Sequence, residues 1–181
     1  MKKIFLVIAV FISLQSFAQF KDATLQASGL TCSLCSKAIY KSLMTLPFVK
    51  DVKPNIQNSS FDISFKEGSV PDFDAMGKAV MQAGFSVSQL KVRTNFNDVA
   101  VQNDTHVKLE GKTLHFLNVK NQTLKGERTM VLVDKNFVSS KENKKYGQFT
   151  TMKCFTTGVM ENCCDKKDGA KGERVYHVTV I

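Results

Sequence analysis

The 181-residue chain contains no tryptophan, only three prolines and only 16 acidic residues against 25 lysines and arginines. The shortage of acid gives a formal net charge of +9, so the surface is expected to favour acidic partners. Past residue 18 the sequence has no run of the roughly 20 apolar residues that a membrane-spanning helix needs. We therefore expect no membrane anchor in that part of the chain.

The first 18 residues, MKKIFLVIAVFISLQSFA, have the pattern of a secretory signal peptide. Lys2 and Lys3 precede an apolar run from Ile4 to Leu14, and the segment ends in small residues at Ala18. This pattern predicts an exported protein, periplasmic or secreted. Because of export, nucleic acid is not expected as a partner, despite the basic charge.

Composition predicts two domains after the signal peptide at residues 1–18. Residues 19–92 mix helix and strand signals, whereas residues 99–181 consist almost wholly of short alternating runs and turns. The stretch RTNFND, residues 93–98, is predicted as the linker between the two domains.

Within residues 19–92 the hydrophobic patterns follow the order strand, helix, strand, strand, helix, strand. Pro47 ends the first helical pattern, Pro71 opens the second helix, and Gly84 suits the C-terminal cap of that helix. This order over about 70 residues is that of the ferredoxin-like fold, so an α+β domain is predicted here.

Cys32 and Cys35 lie in GLTCSLC, where the first strand gives way to the first helix. Free backbone amides and the positive end of the helix dipole favour thiolates at such a position. Two thiolates without further obvious ligands suit a soft ion, and copper(I) is the leading candidate. Zinc normally takes four protein ligands in a structural site, and the loop offers no His, Asp or Glu. Mercury(II) shares copper's preference for sulfur, so the sequence does not separate these two ions.

Two other interpretations of this cysteine pair stay open. A thioredoxin-like enzyme also carries Cys-x-x-Cys at a helix start, but it usually has a tryptophan before the first cysteine, and this chain has none. A purely structural disulfide is the other interpretation, although closing so short a loop gains little stability. The alternative function is therefore thiol-disulfide exchange by an exported protein.

The residues around the pair resemble the heavy-metal-associated domain family, which includes copper chaperones, modules of copper-pumping ATPases and the periplasmic mercury-binding protein. GLTCSLC matches the family's metal loop, LMTLPFVKDV its framework after the first helix, and AVMQAGFSV its second helix and closing turn. The resemblance covers about residues 21–91. Leu30 stands where the family usually has methionine, and Phe48 where glycine is common. The resemblance also implies that Phe85 lies beside the metal loop.

The resemblance implies metal homeostasis rather than catalysis. The chain would carry or sequester a soft ion between Cys32 and Cys35, and no enzymatic reaction is expected. In transfer, a partner thiolate attacks the bound ion, a three-coordinate intermediate forms, and one original cysteine leaves. The expected partner is a metal-donor or metal-acceptor protein, and the oligomeric state is left open.

Residues 99–181 are predicted to form a small all-β domain, an OB-like barrel or a sandwich. Five segments carry short strand patterns: VAVQ, HVKLEGKTLHFLNV, RTMVLVD, GQFTTMKCF and RVYHVTVI. We identify no family resemblance in this part of the sequence.

Three further cysteines lie in KCFTTGVMENCCDKK. One disulfide from Cys154 to Cys163 or Cys164 would stabilise an exported domain by about 2–3 kcal/mol and leave one cysteine over. Alternatively, the three sulfurs form a second soft-metal site, with Met152 or Met160 as thioether ligands.

The three histidines, His106, His115 and His177, each fall in a predicted strand. We expect each of them to lie on the surface or to be partly buried. His177 in particular is expected to point outward, because its neighbours Tyr176 and Val178 form the inward face of the last strand.

Overall fold

The computed structural model describes residues 19–30, 33–162, 164 and 169–181. The predicted signal peptide, Cys32 and Cys163 lie outside these ranges. Within them, no helix combines the length and the apolar character that crossing a membrane would require.

The described residues form one sheet of eight strands with four α-helices. The strands are β1 (Gln19–Ser28), β2 (Val49–Asn55), β3 (Ser60–Phe65), β4 (Ser86–Val101), β5 (Thr105–Leu109), β6 (Lys112–Phe116), β7 (Gln122–Leu132) and β8 (Val175–Val180). The helices are α1 (Ser33–Met44), α2 (Phe73–Gln82), α3 (Ser140–Tyr146) and α4 (Cys154–Thr157), with a 3₁₀ turn at Gly147–Phe149. The strand order in the sheet is β2-β3-β1-β4-β7-β8-β6-β5.

The first four strands and first two helices have the predicted ferredoxin-like order. β1 pairs antiparallel with both β3 and β4, and β2 pairs antiparallel with β3. Helix α1 buries Ile39 and Leu43, which lie four residues apart on one face. Helix α2 begins after Asp72, whose carboxylate accepts a 3.0 Å hydrogen bond from the Ala75 amide. The predicted α+β fold of this half is confirmed.

Strand β4 joins the two halves of the chain in one sheet. Of its 16 residues, those from Ser86 to Asn95 pair with β1 and those from Leu90 to Val101 pair with β7. Residues 93–98, which the sequence analysis predicts as a linker, instead lie inside this strand. The polar composition of RTNFND is misleading because Thr94 and Phe96 are buried between more exposed neighbours.

The predicted separate all-β domain at residues 99–181 is not confirmed. Strands β7, β8, β6 and β5 extend the amino-terminal sheet, and β6 and β8 are parallel neighbours. This half also contains α3, α4 and the 3₁₀ turn, so it is not all-β. Ser139 caps the start of α3, because its hydroxyl accepts from the Glu142 amide and donates to the Glu142 carboxylate. GQFTTMKCF, predicted as a strand, forms the 3₁₀ turn and the start of α4.

Helix α2 packs against the carboxyl-terminal half through an aromatic contact and an ion pair. The Phe73 ring meets Phe20 edge-on at 5.4 Å and Tyr176 at 5.1 Å between centroids. Next to it, the Asp74 carboxylate accepts hydrogen bonds from Arg174 Nε at 2.8 Å and from the Tyr176 hydroxyl at 3.2 Å. These contacts fix the orientation of α2 relative to β8.

Candidate metal centres

The junction of β1 and α1 carries the predicted metal-binding pair. Cys35 lies in the first turn of α1 and is half-buried, while Cys32 lies outside the described residues. Cys35 is disulfide-bonded in this structure. Because a thiolate is the form that binds a soft metal, uptake of an ion by Cys35 requires reduction first.

Exposed residues flank this junction on both sides. Gly29 has φ +81°, which favours glycine and lets the chain turn out of β1. Leu30 packs against the main core, as the methionine expected there from the family resemblance would. Beyond it, the Leu34 side chain is 75% exposed and Lys37 is also exposed. The start of α1 is therefore accessible to a partner molecule.

Phe85 follows the end of α2. It is half-buried against the main core, and its backbone amide donates a 3.1 Å hydrogen bond to the Val80 carbonyl. Gly84, at φ +88°, permits the turn between the end of α2 and Phe85. The contact of the Phe85 ring with the cysteine loop, implied by the resemblance, stays a prediction.

The carboxyl-terminal cysteines do not form the predicted bridge from Cys154. Both Cys154 and Cys164 are buried, and neither is disulfide-bonded. They share a small apolar cluster with Met160, against which Met152 also packs. Cys163 lies outside the described residues, so the predicted three-sulfur site stays untested.

The three histidines lie side by side across β5, β6 and β8. His106 is opposite His115 in the antiparallel β5–β6 pair, and His115 is opposite His177 in the parallel β6–β8 pair. Side chains at directly opposite positions project from the same face of a sheet. The His106 and His115 rings stack at 4.3 Å between centroids, and the His177 ring meets His115 at 5.1 Å.

The expectation of surface or partly buried histidines is wrong. His115 and His177 are fully buried and His106 is only 7% exposed. Helix α4 covers this face of the sheet, because Cys154 contacts two of the histidines and the Phe155 ring meets His177 edge-on at 5.1 Å. His177 therefore does not point into solvent.

Cys154 lies between two histidine nitrogens. Its Sγ is 3.6 Å from His106 Nε2 and 3.6 Å from His115 Nδ1. These three atoms all lie within 4.8 Å of one another, and all three residues are buried. Gly158, in a left-handed conformation, ends α4 and donates a 2.7 Å hydrogen bond to the Cys154 carbonyl. The arrangement places one sulfur and two imidazole nitrogens around a common point.

A carboxylate lies on the far side of His115. Nε2 of His115 is 2.9 Å from Asp104 Oδ1, and a carboxylate can only accept a hydrogen bond. The proton of neutral His115 therefore belongs on Nε2, which leaves the Nδ1 lone pair facing Cys154. Burial, together with the nearby His106 and His177, lowers the pKa of His115 to about 3, although the contact with Asp104 opposes this shift.

A second carboxylate holds His177. Asp134 Oδ1 accepts from His177 Nδ1 at 2.9 Å, and Oδ2 accepts from the His177 backbone amide at 3.0 Å. Arg174 also donates to Asp134 at 3.2 Å. Within the part of the chain that the structure describes, Nε2 of His177 has no hydrogen-bond partner.

One sequence signal could have paired two of these histidines. Glu110 and Gly111 both have positive φ and form the tight turn between β5 and β6. Counting outward from that turn places His106 opposite His115, as observed. No comparable local signal locates Cys154, because α4 is far from both strands in sequence.

The comparisons with known proteins concern the amino-terminal half. Residues 24–86 match the family model of the heavy-metal-associated domain. Similar solved structures include the yeast copper transporter domain CCC2A, with 19% identity, 37% of this chain and 90% of that chain covered, and a TM-score of 0.33. Oxidized MerP from Ralstonia metallidurans CH34 has 24% identity, coverages of 39% and 94%, and a TM-score of 0.34. Apo-CopP from Helicobacter pylori has 24% identity, coverages of 36% and 97%, and a TM-score of 0.32.

A search of the curated proteins gave no match. The family match covers the second half of β1 and all of α1, β2, β3 and α2, and it includes the positions of Cys32 and Cys35. The match of residues 24–86 therefore agrees with the resemblance to the heavy-metal-associated domain that the sequence motifs indicate.

Proposed function

We propose that this protein binds a soft metal ion, copper(I) in the first place, between Cys32 and Cys35 and exchanges it with a partner protein. The observation that carries the proposal is the match of residues 24–86 to the heavy-metal-associated domain, because that segment contains the pair at a strand-to-helix junction. Zinc fits less well, since the loop has no His, Asp or Glu to complete four ligands. Mercury(II) is the competing soft ion.

The position of Cys35 supports thiolate chemistry once the disulfide is reduced. It lies in the first turn of α1, where backbone amides have no partner within the helix and the helix dipole is positive. Both effects stabilise a negative sulfur relative to a neutral thiol. A bound ion would then be held by two thiolates at the accessible end of the helix.

Transfer would occur by ligand exchange at this exposed end. A thiolate of the partner attacks the bound ion, a three-sulfur intermediate forms, and Cys32 or Cys35 leaves. The exposed Leu34 offers an apolar contact beside the site, and Lys37 offers a positive charge. The full chain has a net charge of +9, and residues 19–181 keep a charge of +7 once Lys2 and Lys3 are removed, so the exported chain should associate fastest with an acidic metal donor or acceptor.

The signal-peptide pattern of residues 1–18 supports action outside the cytoplasm. Such compartments are oxidising. The site then requires a reductant, or metal that arrives before the disulfide forms.

The disulfide at Cys35 also favours a second candidate function, thiol-disulfide exchange. Metal transfer and thiol-disulfide exchange predict different measurable activities. An exchange protein should reduce or oxidise a model disulfide repeatedly without any metal, whereas a metal carrier should show tight metal binding and no such turnover.

The test is an anaerobic titration of the reduced chain, residues 19–181, with copper(I) against a competing chelator. The Cys32→Ser/Cys35→Ser variant should lose one equivalent of tightly bound copper. Cys164→Ser, which removes a buried thiol elsewhere, is the matched control and should lose none. Equal binding by the double variant and the control would overturn the proposal, and metal-free turnover of a disulfide would favour the second candidate.

A further inference from the structure

We infer that His106, His115 and Cys154 form a second metal site, suited to copper(I), that is separate from the Cys-x-x-Cys loop. The three ligands come from β5, β6 and α4, and none of them lies within residues 24–86. The site therefore belongs to the half of the chain that the family match does not cover.

The separations of the ligand atoms suit one shared ion. Metal–sulfur bonds of about 2.3 Å and metal–nitrogen bonds of about 2.0 Å, at about 120° to each other, hold sulfur and nitrogen about 3.7 Å apart. Cys154 Sγ lies 3.6 Å from His106 Nε2 and 3.6 Å from His115 Nδ1. An ion could thus enter with little movement of the strands or the helix.

The hydrogen bond on the far side of His115 prepares that ring as a ligand. Asp104 accepts from Nε2 at 2.9 Å and so leaves the Nδ1 lone pair directed at Cys154. A carboxylate that orients a metal-bound imidazole in this way is a recurring feature of metal sites. The β5–β6 pairing and the His106–His115 ring stack at 4.3 Å further restrict both rings.

Charge and softness favour copper(I) among the transition metals. One thiolate and two neutral imidazoles around a monovalent ion are neutral overall, so burial carries little desolvation cost. Three ligands satisfy copper(I), whereas zinc would normally require a fourth. The buried Met160 and the half-buried Met152 lie in the same apolar cluster as Cys154, so the surroundings are also soft.

His106 is the ligand nearest to solvent. It is the one ligand of the three with measurable exposure, 7%, and it lines a surface cleft of about 440 Å³ that also includes Thr105 and Gln122.

The alternative is a hydrogen-bonded cluster with no metal, in which the Cys154 thiol donates to one imidazole and accepts from the other. An anaerobic copper(I) titration of the Cys32→Ser/Cys35→Ser variant separates the two. That variant lacks the amino-terminal site, so the outcome is independent of the proposed function. We expect one equivalent to bind tightly, with an X-ray absorption signature of one sulfur and two nitrogens.

Ligand removal is then tested in the same background. Loss of an outer hydrogen-bond partner weakens metal binding by about 10–100-fold. Because Cys154 is a direct ligand, Cys154→Ser should weaken copper(I) binding by more than this. His106→Gln, at the edge of the cluster, is a second ligand variant that is less demanding for folding, and it should have the same effect. Cys164→Ser is the matched control and should bind as its parent does.

Three results would overturn the inference. One is the absence of a tight equivalent in the Cys32→Ser/Cys35→Ser variant. Another is unchanged binding in a folded Cys154→Ser or His106→Gln variant. The third is tight zinc binding without copper(I) binding, which would contradict the choice of ion.

Discussion

Arg174, just before β8, holds Asp74 of helix α2 by two hydrogen bonds, from Nε at 2.8 Å and from Nη2 at 3.1 Å, across 100 residues of sequence. The Tyr176 hydroxyl donates to the same carboxylate at 3.2 Å. Planar two-point pairing of this kind is stronger and more directional than a single contact. It ties the segment that matches the heavy-metal-associated domain to the carboxyl-terminal strands.

The Arg174–Asp74 ion pair predicts that Asp74→Asn destabilises the fold. Loss of the negative charge leaves the half-buried Arg174 with Asp134 as its one remaining carboxylate partner among the residues that the structure describes. We expect a loss of about 1–3 kcal/mol in the free energy of unfolding, measured by urea denaturation. Asp98→Asn is the control, because the Asp98–Lys125 pair is well exposed and should contribute less than about 1 kcal/mol. Equal effects of the two substitutions would contradict the structural role of Asp74.

The same carboxylate predicts a dependence of stability on pH. Burial acts to raise the pKa of Asp74, but the hydrogen bonds and charge of Arg174, with Tyr176 and Lys78, lower it below its ordinary value. A lowered pKa in the folded state means that the contribution is complete above the unfolded pKa and is lost as pH falls through the folded pKa. Between about pH 5 and pH 2, the unfolding free energy of the native chain should therefore fall more steeply than that of Asp74→Asn. Parallel curves would contradict this assignment.

Because the amino-terminal and carboxyl-terminal halves of the chain share one hydrophobic core, we expect them to unfold together. Phe137 is fully buried and its ring lies against Gly77 of α2. Phe137→Ala should cost about 3–5 kcal/mol and lower the midpoint of a single thermal transition followed by circular dichroism. Ile181→Ala, at a residue that is 69% exposed, should change stability by less than about 0.5 kcal/mol. Two separate transitions in the native chain would argue against a shared sheet.

The hydrogen bond between Asp104 and His115 predicts how Asp104→Asn changes the copper(I) affinity of the inferred second site. In the Cys32→Ser/Cys35→Ser background, Asp104→Asn should weaken copper(I) binding by about 10–100-fold, because the His115 ring loses its outer carboxylate. Competition with a chelator of known affinity measures this change. Asp98→Asn is again the control and should leave the affinity unaltered. Unchanged affinity in Asp104→Asn would remove Asp104 from the account of this site.

The fold of the amino-terminal half could be predicted because its signals are local. Pro71, Asp72 and Gly84 mark the ends of α2, and apolar residues at helical spacing mark its buried face. Cys32 and Cys35 can be proposed as metal ligands for the same reason, since two residues separate them in a recognisable sequence motif, and this proposal stays a prediction. Local signals of this kind need no knowledge of distant parts of the chain.

The carboxyl-terminal half depends on contacts that local patterns do not show. RTNFND has the composition of a linker, but its buried residues alternate within β4 because β1 and β7 flank it. The burial of His177 follows from the position of β8 between β6 and β7 and from the cover that α4 provides. Strands β6 and β7 and helix α4 are all distant from His177 in sequence. A barrel was therefore predicted where the strands continue an open sheet.

The most direct test of the central claim is the copper(I) stoichiometry of the reduced chain beside three variants. The native chain and Cys164→Ser should each bind two tight equivalents. The Cys32→Ser/Cys35→Ser variant should retain the one at His106, His115 and Cys154. Cys154→Ser should retain the one at the heavy-metal-associated domain. If the Cys32→Ser/Cys35→Ser variant binds as much copper(I) as the native chain, the proposal that this domain holds the transferable ion is contradicted.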